Sequence, residues 1–327
     1  MALSKYFINP EENRPRMFWR IAGQVLIMVL FFLMTGAVLT NIYLMTHEAE
    51  TVDYQRLTSY VSHNPEILLL NVVFSTIAVL LSLWIAIRYL DKRSFSEYGL
   101  VLSGRWWRQF LFGLGLGALL MTLIFLVQLV AGFITISDFF TSNVEYPLGV
   151  AMLIPVIITL LVGFYEELLL RGYYLTNFAQ GFRGLLGKRA SVWFALVLSS
   201  LIFGVGHILN AEATIMSAVN ISLMGVVLLG VGYVLTGNLA IPIGIHISWN
   251  YFQGAVFGFP VSGTGLNAVS FIKVEQHGPS LLTGGHFGPE AGLIGLAATI
   301  LGGLVILWYV RRQSGEVSID TTIADAS

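Results

Sequence analysis

Three groups of polar residues in this chain have types and spacings that suit acid–base chemistry. In sequence order they are Glu166, Glu167 and Arg171, then His207, then His246 and Asn250. A carboxylate can act as a general base, an imidazole can carry protons, and an amide can donate a hydrogen bond to a developing oxyanion. Together these groups indicate a hydrolytic site, provided that the elements carrying them bring them together.

The two adjacent glutamates differ in what their helix offers them. Glu167 and Arg171 are four residues apart, so in a helix they share one face and can form an ion pair. Glu166 lies about 100° further round the helix, so the same arginine cannot serve it equally well. A carboxylate without a local cation in an apolar environment is suited to accept a proton and return it near neutral pH. The alternative is a structural ion pair with a distant helix.

The histidines and the asparagine are ambiguous when each is taken alone. A single histidine in an apolar helix, such as His207 beside two glycines, is more often a core residue with a satisfied hydrogen bond than a catalyst. His246 and Asn250 face one direction and form the donor pair that an oxyanion needs. Polar side chains also hydrogen-bond between membrane helices without any catalytic role. Together the three groups are stronger evidence for a functional site, because they fall on three separate apolar segments.

The elements that must position these residues are membrane-spanning helices. The chain is 56% apolar and only 11% charged, whereas a soluble domain is about 25% charged. Its net charge of -1 excludes the basic field of a nucleic-acid-binding protein. The absence of cysteine excludes disulfides, thiol catalysis, zinc–cysteine sites and iron–sulfur clusters. The sequence therefore predicts an all-α, polytopic helical membrane protein with a buried polar site.

About eight transmembrane helices are predicted from apolar runs of about 20 residues. Their approximate ranges are 21–45, 67–90, 110–136, 149–171, 190–208, 214–235, 240–258 and 291–310. With eight spans nearly all basic residues fall on one side, which by the positive-inside rule places both termini in the cytoplasm. The predicted organisation is a cytoplasmic N-terminal segment 1–20, a single transmembrane domain 21–312 and a disordered cytoplasmic tail 313–327.

The predicted spans raise a difficulty of depth. If the fourth span ends at Arg171, Glu166 lies towards one side of the bilayer and His207 towards the other, a mismatch of roughly 10–15 Å at 1.5 Å per residue. Continuation of the fourth helix through Tyr173, Tyr174 and Leu175 would bring Glu166 to the middle. The Gly- and Pro-rich loop 259–290 is either a lid over a cavity or an ordered connector.

The ordered motifs resemble those of the CAAX-protease and bacteriocin-processing family (CPBP, also called Abi), which consists of intramembrane glutamic endopeptidases. EExxxR, FxxxH and HxxxN begin at Glu166, Phe203 and His246. The resemblance covers about residues 147–258, and residues 282–290 are similar to a loop of many bacterial members. It implies the following roles: Glu166 activates water, His207 holds that water and shuttles the proton, His246 and Asn250 form the oxyanion hole, and Glu167 and Arg171 support them.

The resemblance also implies a substrate class and a setting. The expected reaction is metal-independent hydrolysis of a peptide bond in a membrane-associated protein or peptide, without a cofactor, in a prokaryotic plasma membrane. Zinc held by Glu166, His207 and His246 is a minority alternative, because no HExxH motif is present. A non-catalytic bacteriocin-immunity factor or scaffold would use the same residues only for helix packing. An ion-coupled transporter would show internal repeats, and none is apparent.

Overall fold

The computed structural model describes residues 4–10, 12–47, 51 and 53–325, and helices make up most of it. The longer helices, numbered in chain order, are α1 (Met17–His47), α2 (Tyr54–His63), α3 (Pro65–Asp91), α4 (Gly104–Val130), α5 (Leu148–Leu186), α6 (Lys188–Leu209), α7 (Ile215–Thr236), α8 (Ala240–Tyr251) and α9 (Leu293–Ser314). The strands are β1 (Ile8–Asn9), β2 (Arg14–Pro15), β3 (Ile134–Ser142) and β4 (Val269–Gln276). Single helical turns lie at Ser4–Phe7, Phe95–Tyr98, Leu266–Ala268, Ser280–Thr283, Pro289–Ala291 and Thr321–Ala324.

Seven helices in the described part of the chain are long and apolar enough to cross a membrane. They are α1, α3, α4, α5, α6, α7 and α9. The eighth predicted span is also helical, as α8 followed by a π-helical turn at Phe252–Val256. It is shorter than the others, and the protein encloses almost all of it. The structure confirms an all-α polytopic membrane protein.

Glycine lets α8 lie directly against α4. A Cβ atom added to Gly113 would lie 2.5 Å from the carbonyl oxygen of Ile241, and one added to Gly117 would lie 2.6 Å from that of Ile245. Both distances are too short for real atoms, so only glycine permits this approach. The small-xxx-small pair in α4 therefore packs helices, as such pairs commonly do in membranes. The result is that the helix carrying His246 is held at the centre of the bundle.

The helix that carries the paired glutamates is longer than predicted. α5 runs from Leu148 to Leu186, a length of 39 residues, with a π-helical stretch at Leu168–Leu175 directly after Glu167. The predicted end at Arg171 is therefore wrong, and the alternative of continuation past that residue is confirmed. Because the helix is this long, Glu166 lies near its middle rather than near one end.

The ends of the helices gather at two opposite faces of the bundle. At the first face, Arg20 near the start of α1 binds Asp91 at the end of α3, with 2.8 Å between Nη1 and Oδ1. At the same face, Asn238 after α7 donates through Nδ2 to Gln109 Oε1 of α4 at 2.6 Å. Most of the lysines and arginines lie here, so we call this face the basic end.

The opposite face is covered by loops and by a two-stranded ribbon, and we call it the roofed end. β3 and β4 pair antiparallel there, with a register shift between Ile136 and Asp138. The backbone N–H of Gly265 donates to the carbonyl oxygen of Ser62 at 2.9 Å, which ties the loop before β4 to α2. The predicted loop 259–290 thus contains a strand and forms part of an ordered roof.

The C-terminal segment is ordered up to residue 325, so the prediction of a disordered tail is wrong for these residues. Thr321–Ala324 form a 3-10 turn, and the side chains of Ile323 and Ala324 are buried in the main hydrophobic core. Arg183 Nη1 donates to the carbonyl oxygen of Ala324 at 3.4 Å. Two apolar side chains in a polar segment are enough to dock it at the basic end. Residues 326–327 of the predicted tail lie outside the described residues.

Candidate active site

One cavity brings together the polar residues predicted from the three motifs. Glu166, His207, His246 and Asn250 all line it, and its volume is about 210 Å³. A polar cavity of that size holds several water molecules. The depth mismatch expected from the shorter helix is therefore absent, because α5 places Glu166 level with the roofed end of α6.

A continuous chain of polar contacts leads from the protein interior to this cavity. Arg171 Nη1 lies 2.9 Å from Glu167 Oε1, and both side chains are fully buried. The same glutamate oxygen lies 2.8 Å from His246 Nδ1, while His246 Nε2 lies 3.7 Å from Glu166 Oε2. The predicted Glu167–Arg171 pair is confirmed. The contact between Glu167 and His246 was not predicted.

These contacts favour one tautomer of neutral His246. A carboxylate oxygen that already faces an arginine can only accept a hydrogen bond, so the network assigns the proton of the neutral ring to Nδ1. Nε2 is then the ring nitrogen that faces Glu166 and can take up a second proton. A buried carboxylate that holds an imidazole in this way is the arrangement that orients the histidine of a catalytic triad.

Phe203 separates the two histidines of the cavity. Its ring lies edge-on to His207 at a centroid distance of 4.7 Å and edge-on to His246 at 6.1 Å. Phe203 also contacts Arg171, whose guanidinium carbon lies 4.5 Å from the ring centroid. His207 Nδ1 donates to the carbonyl oxygen of Phe203 at 2.8 Å, which leaves its Nε2 as a proton acceptor. The spacing FxxxH therefore orients one imidazole and spaces it from the other.

Glu166 and Asn250 keep hydrogen-bonding capacity on the cavity wall. Glu166 Oε2 is buried and accepts no hydrogen bond from the described residues. The Glu166 side chain as a whole is 20% exposed, and Asn250 is half-buried. An unpaired buried carboxylate oxygen is costly unless a ligand or water completes it. This wall of the cavity can thus hold a water molecule and a polar substrate group.

A second, more apolar cavity shares part of this wall. Its volume is about 330 Å³, and Glu166, Phe203 and His207 line it together with Met28 and Phe32 of α1. It lies along the middle of the helices rather than under the roof. The candidate site therefore has a polar side towards the roof and an apolar side between helices.

Glu290 is a polar residue of this cavity that the sequence analysis missed. It lies just before α9, is 5% exposed and lines the same cavity as Glu166. Its Oε1 accepts hydrogen bonds from the backbone N–H of Ser262 at 2.6 Å and from the Ser262 hydroxyl at 3.2 Å, and Gln253 donates to its Oε2. Burial raises its pKa to about 7, although the donors oppose that shift.

A signal for Glu290 was present in the sequence. An ionisable residue beside an apolar span needs a reason to be there, and Glu290 follows Gly288 and Pro289 at the start of α9. The loop in which it lies is similar to a loop of the family, but that resemblance gives the glutamate no role. Its partners, Ser262 and Gln253, are distant in sequence, so they could not be identified without the fold.

The match to a known family covers the middle of the chain. Residues 147–252 match the family described as Type II CAAX prenyl endopeptidase Rce1-like. This middle third of the chain is therefore similar to that family. The match begins where the predicted core 147–258 begins, and it contains all six residues predicted for the site. No curated protein and no solved structure matches the chain. The match supports a CAAX protease-like enzyme, and the seven apolar helices support an integral membrane protein.

A metal ion requires several histidine or acidic side chains that converge on one point. Within the described residues, no group of three or more histidines and acidic residues is arranged to hold a metal ion. The zinc alternative required Glu166, His207 and His246 to converge. In the structure His246 directs Nδ1 to Glu167 and only Nε2 towards Glu166.

Proposed function

We propose that this protein is an intramembrane endopeptidase that uses Glu166 to activate water against a peptide bond of a membrane-associated protein or peptide. The observation that supports it is the convergence of Glu166, His207, His246 and Asn250 on one polar cavity inside an apolar bundle. Membrane proteins bury ionisable groups rarely, and mostly for function.

The first step is the attack of water. Glu166 accepts a proton from a water molecule as the water oxygen forms a bond to the carbonyl carbon of the substrate. His207, through Nε2, accepts a hydrogen bond from that water and holds it in place. The carbonyl oxygen becomes an oxyanion, which the amide N–H of Asn250 stabilises.

The second step is the departure of the amine. The proton passes from Glu166 to His246 Nε2, which lies 3.7 Å from the carboxylate. The imidazolium that forms is balanced by Glu167 on Nδ1 and donates to the oxyanion together with Asn250. The C–N bond then breaks as the leaving nitrogen receives this proton, and the products are a carboxylic acid and an amine.

The non-catalytic alternative makes a different structural demand. A cluster that only packs helices would be dry, and each of its polar groups would be paired. The cavity of about 210 Å³, which Glu166, His207, His246 and Asn250 all line, favours catalysis over packing.

Substitution of Glu166 tests the proposal. Glu166→Gln keeps the shape of the side chain and removes the base, so we expect cleavage to fall by roughly 10²–10⁴-fold or more with no loss of thermal stability. Glu145→Gln, at an exposed glutamate, is the matched control. Cleavage is measured as new N-termini in membranes of cells that express each variant. Full activity in Glu166→Gln would falsify the mechanism.

Chelation tests the metal-independent form of the mechanism. Purified protein is incubated with EDTA and then assayed on a substrate identified from those N-termini. We expect unchanged activity, because the proposed base is a carboxylate and the oxyanion is stabilised by Asn250 and His246. Loss of activity that added zinc restores would replace this mechanism with a metal-dependent one.

A further inference from the structure

The positive charges of the chain are concentrated at one end of the bundle. All but three of its 17 lysines and arginines belong to the basic end. The exceptions are Arg171 in the interior, and Arg56 and Lys273 at the roofed end. Short loops with excess lysine and arginine remain on the cytoplasmic side of a membrane. The basic end, where the first and last described residues lie, is therefore the cytoplasmic one.

The candidate site lies under the opposite end. Its roof is formed by residues of the segment between α8 and α9, including Ser262, Thr264 and Glu290. Asn210, which follows α6, donates through Nδ2 to the carbonyl oxygen of Ser262 at 3.0 Å and so lies at the same end. Leu68 in the first turn of α3 also lines the cavity. All these residues belong to the roofed halves of their helices or to roofed loops.

The path from the site to the basic end is filled by buried side chains. Tyr173 of α5 donates to Asp91 Oδ2 at 2.9 Å, and Tyr174 donates to Gln24 Oε1 at 2.8 Å. Asp91 is also paired with Arg20. Each of these five side chains is at most 5% exposed. This hydrogen-bonded layer separates the cavity from the basic end.

We propose that the active site opens on the extracytoplasmic side of the membrane, so that the substrate is a polypeptide segment that has crossed the membrane. The substrate class in this inference rests on the proposed function, whereas the orientation of the site in the membrane does not depend on it. It assigns the scissile bond to an exported peptide or to the extracytoplasmic part of a membrane protein. A peptide that stays in the cytoplasm would meet the closed face of the bundle.

Single cysteines can test the orientation, since the natural chain contains none. Ser137→Cys on β3 and Ser318→Cys after α9 are matched exposed positions at the roofed and basic ends. Thr264→Cys places the thiol in the cavity wall. Spheroplasts that express each variant are treated with a membrane-impermeant maleimide, before and after permeabilisation with detergent.

We expect Ser137→Cys and Thr264→Cys to be labelled in intact spheroplasts, and Ser318→Cys to be labelled only after permeabilisation. The reverse pattern, or equal labelling of both ends, would overturn the orientation. Labelling of Ser137→Cys without Thr264→Cys would overturn the opening of the cavity at the roofed end. Addition of Glu166→Gln should leave every labelling result unchanged, which separates orientation from catalysis.

The substrate class is tested by the positions of the cleavage sites. New N-termini that require Glu166 are mapped onto the topology of each cleaved membrane or exported protein. We expect them in segments on the extracytoplasmic side. Sites that lie mainly in cytoplasmic segments would overturn the inference while supporting the proposed function. The lack of any Glu166-dependent site would instead contradict the proposed function, and the labelling result would still decide the orientation.

Discussion

Two buried ion pairs in this protein have similar geometry and different surroundings. The Arg20–Asp91 pair at the basic end has an N···O distance of 2.8 Å, and the Arg171–Glu167 pair beside the cavity has one of 2.9 Å. Both pairs are almost completely buried. At the basic end, the second carboxylate oxygen of Asp91 accepts from Tyr173. Beside the cavity, the paired oxygen of Glu167 also binds His246, which leads on to Glu166.

The difference separates a cluster that holds helices together from one that is poised for chemistry. In the first, hydrogen bonds satisfy both oxygens of the central carboxylate, as buried charges require. In the second, the chain of contacts ends at Glu166 Oε2, which accepts no hydrogen bond from the described residues, and Glu166 lines the cavity. Burial of a charge is common to both clusters, and the second differs in that its chain of contacts reaches a cavity through His246 and Glu166.

The largest effect is expected from Arg171→Met. This variant leaves Glu167 buried without its cation, so the free energy of unfolding should fall by about 3–5 kcal/mol. Cleavage should also fall, because Glu167 is no longer fixed in the position from which it orients His246. Unfolding in detergent and cleavage are measured together, with the exposed Arg56→Met as control.

A double variant separates the two effects of that substitution. Arg171→Met combined with Glu167→Gln removes both charges, so much of the stability should return, while cleavage should stay low because His246 is no longer held by a carboxylate. Recovery of both properties would contradict the role of Glu167 in orienting His246.

Asp91→Asn should affect stability alone. It leaves Arg20 buried without its carboxylate, and we expect a loss of about 3–5 kcal/mol in the free energy of unfolding. Cleavage per folded molecule should remain unchanged, since no atom of this cluster lines the cavity. Unfolding in detergent is compared with that of Asp138→Asn, an exposed aspartate at the roofed end. A selective loss of cleavage in Asp91→Asn would contradict the separation of the two clusters.

Glu290 should make stability depend on pH. Its pKa is raised from 4.5 to about 7 by burial, so the folded protein holds a proton that the unfolded chain releases between these values. The resulting stability is present below pH 4.5 and is lost as pH rises through about 7, a change of roughly 3 kcal/mol. Thermal unfolding from pH 4 to 8 should show this slope in the natural protein and not in Glu290→Gln. The exposed Glu275→Gln variant should keep it.

The smallest effect is expected from Tyr174→Phe. The change removes the hydrogen bond of 2.8 Å to Gln24 Oε1 and leaves that buried oxygen without a donor, which costs about 1–3 kcal/mol. Tyr89→Phe removes a hydroxyl from an exposed ring and should change nothing. A fall in cleavage that exceeds the loss of folded protein would show that this layer communicates with the site.

Local periodicity explains what could be predicted from the sequence. Apolar runs indicate membrane helices because a bilayer requires about 20 apolar residues per span. The Glu167–Arg171 pair follows from the four-residue repeat of a helix. The position of α5's end could not be predicted, because the helix runs beyond the apolar stretch into polar residues that other helices bury, including Asn177 and Gln180. The docking of Ile323 depends equally on the surface that receives it.

The amino-acid sequence by itself determined the membrane class, the helical content and the identities of the polar residues in three helices. Each of these depends on composition or on neighbours within one helical turn. Only the tertiary structure decided that Glu167 binds His246, which is 79 residues away, that Glu290 joins the same cavity, and that α8 is enclosed. These contacts join segments distant along the chain, and their geometry depends on how closely the helices pack. Glycines such as Gly113 and Gly117 decide that packing once their partners are in place.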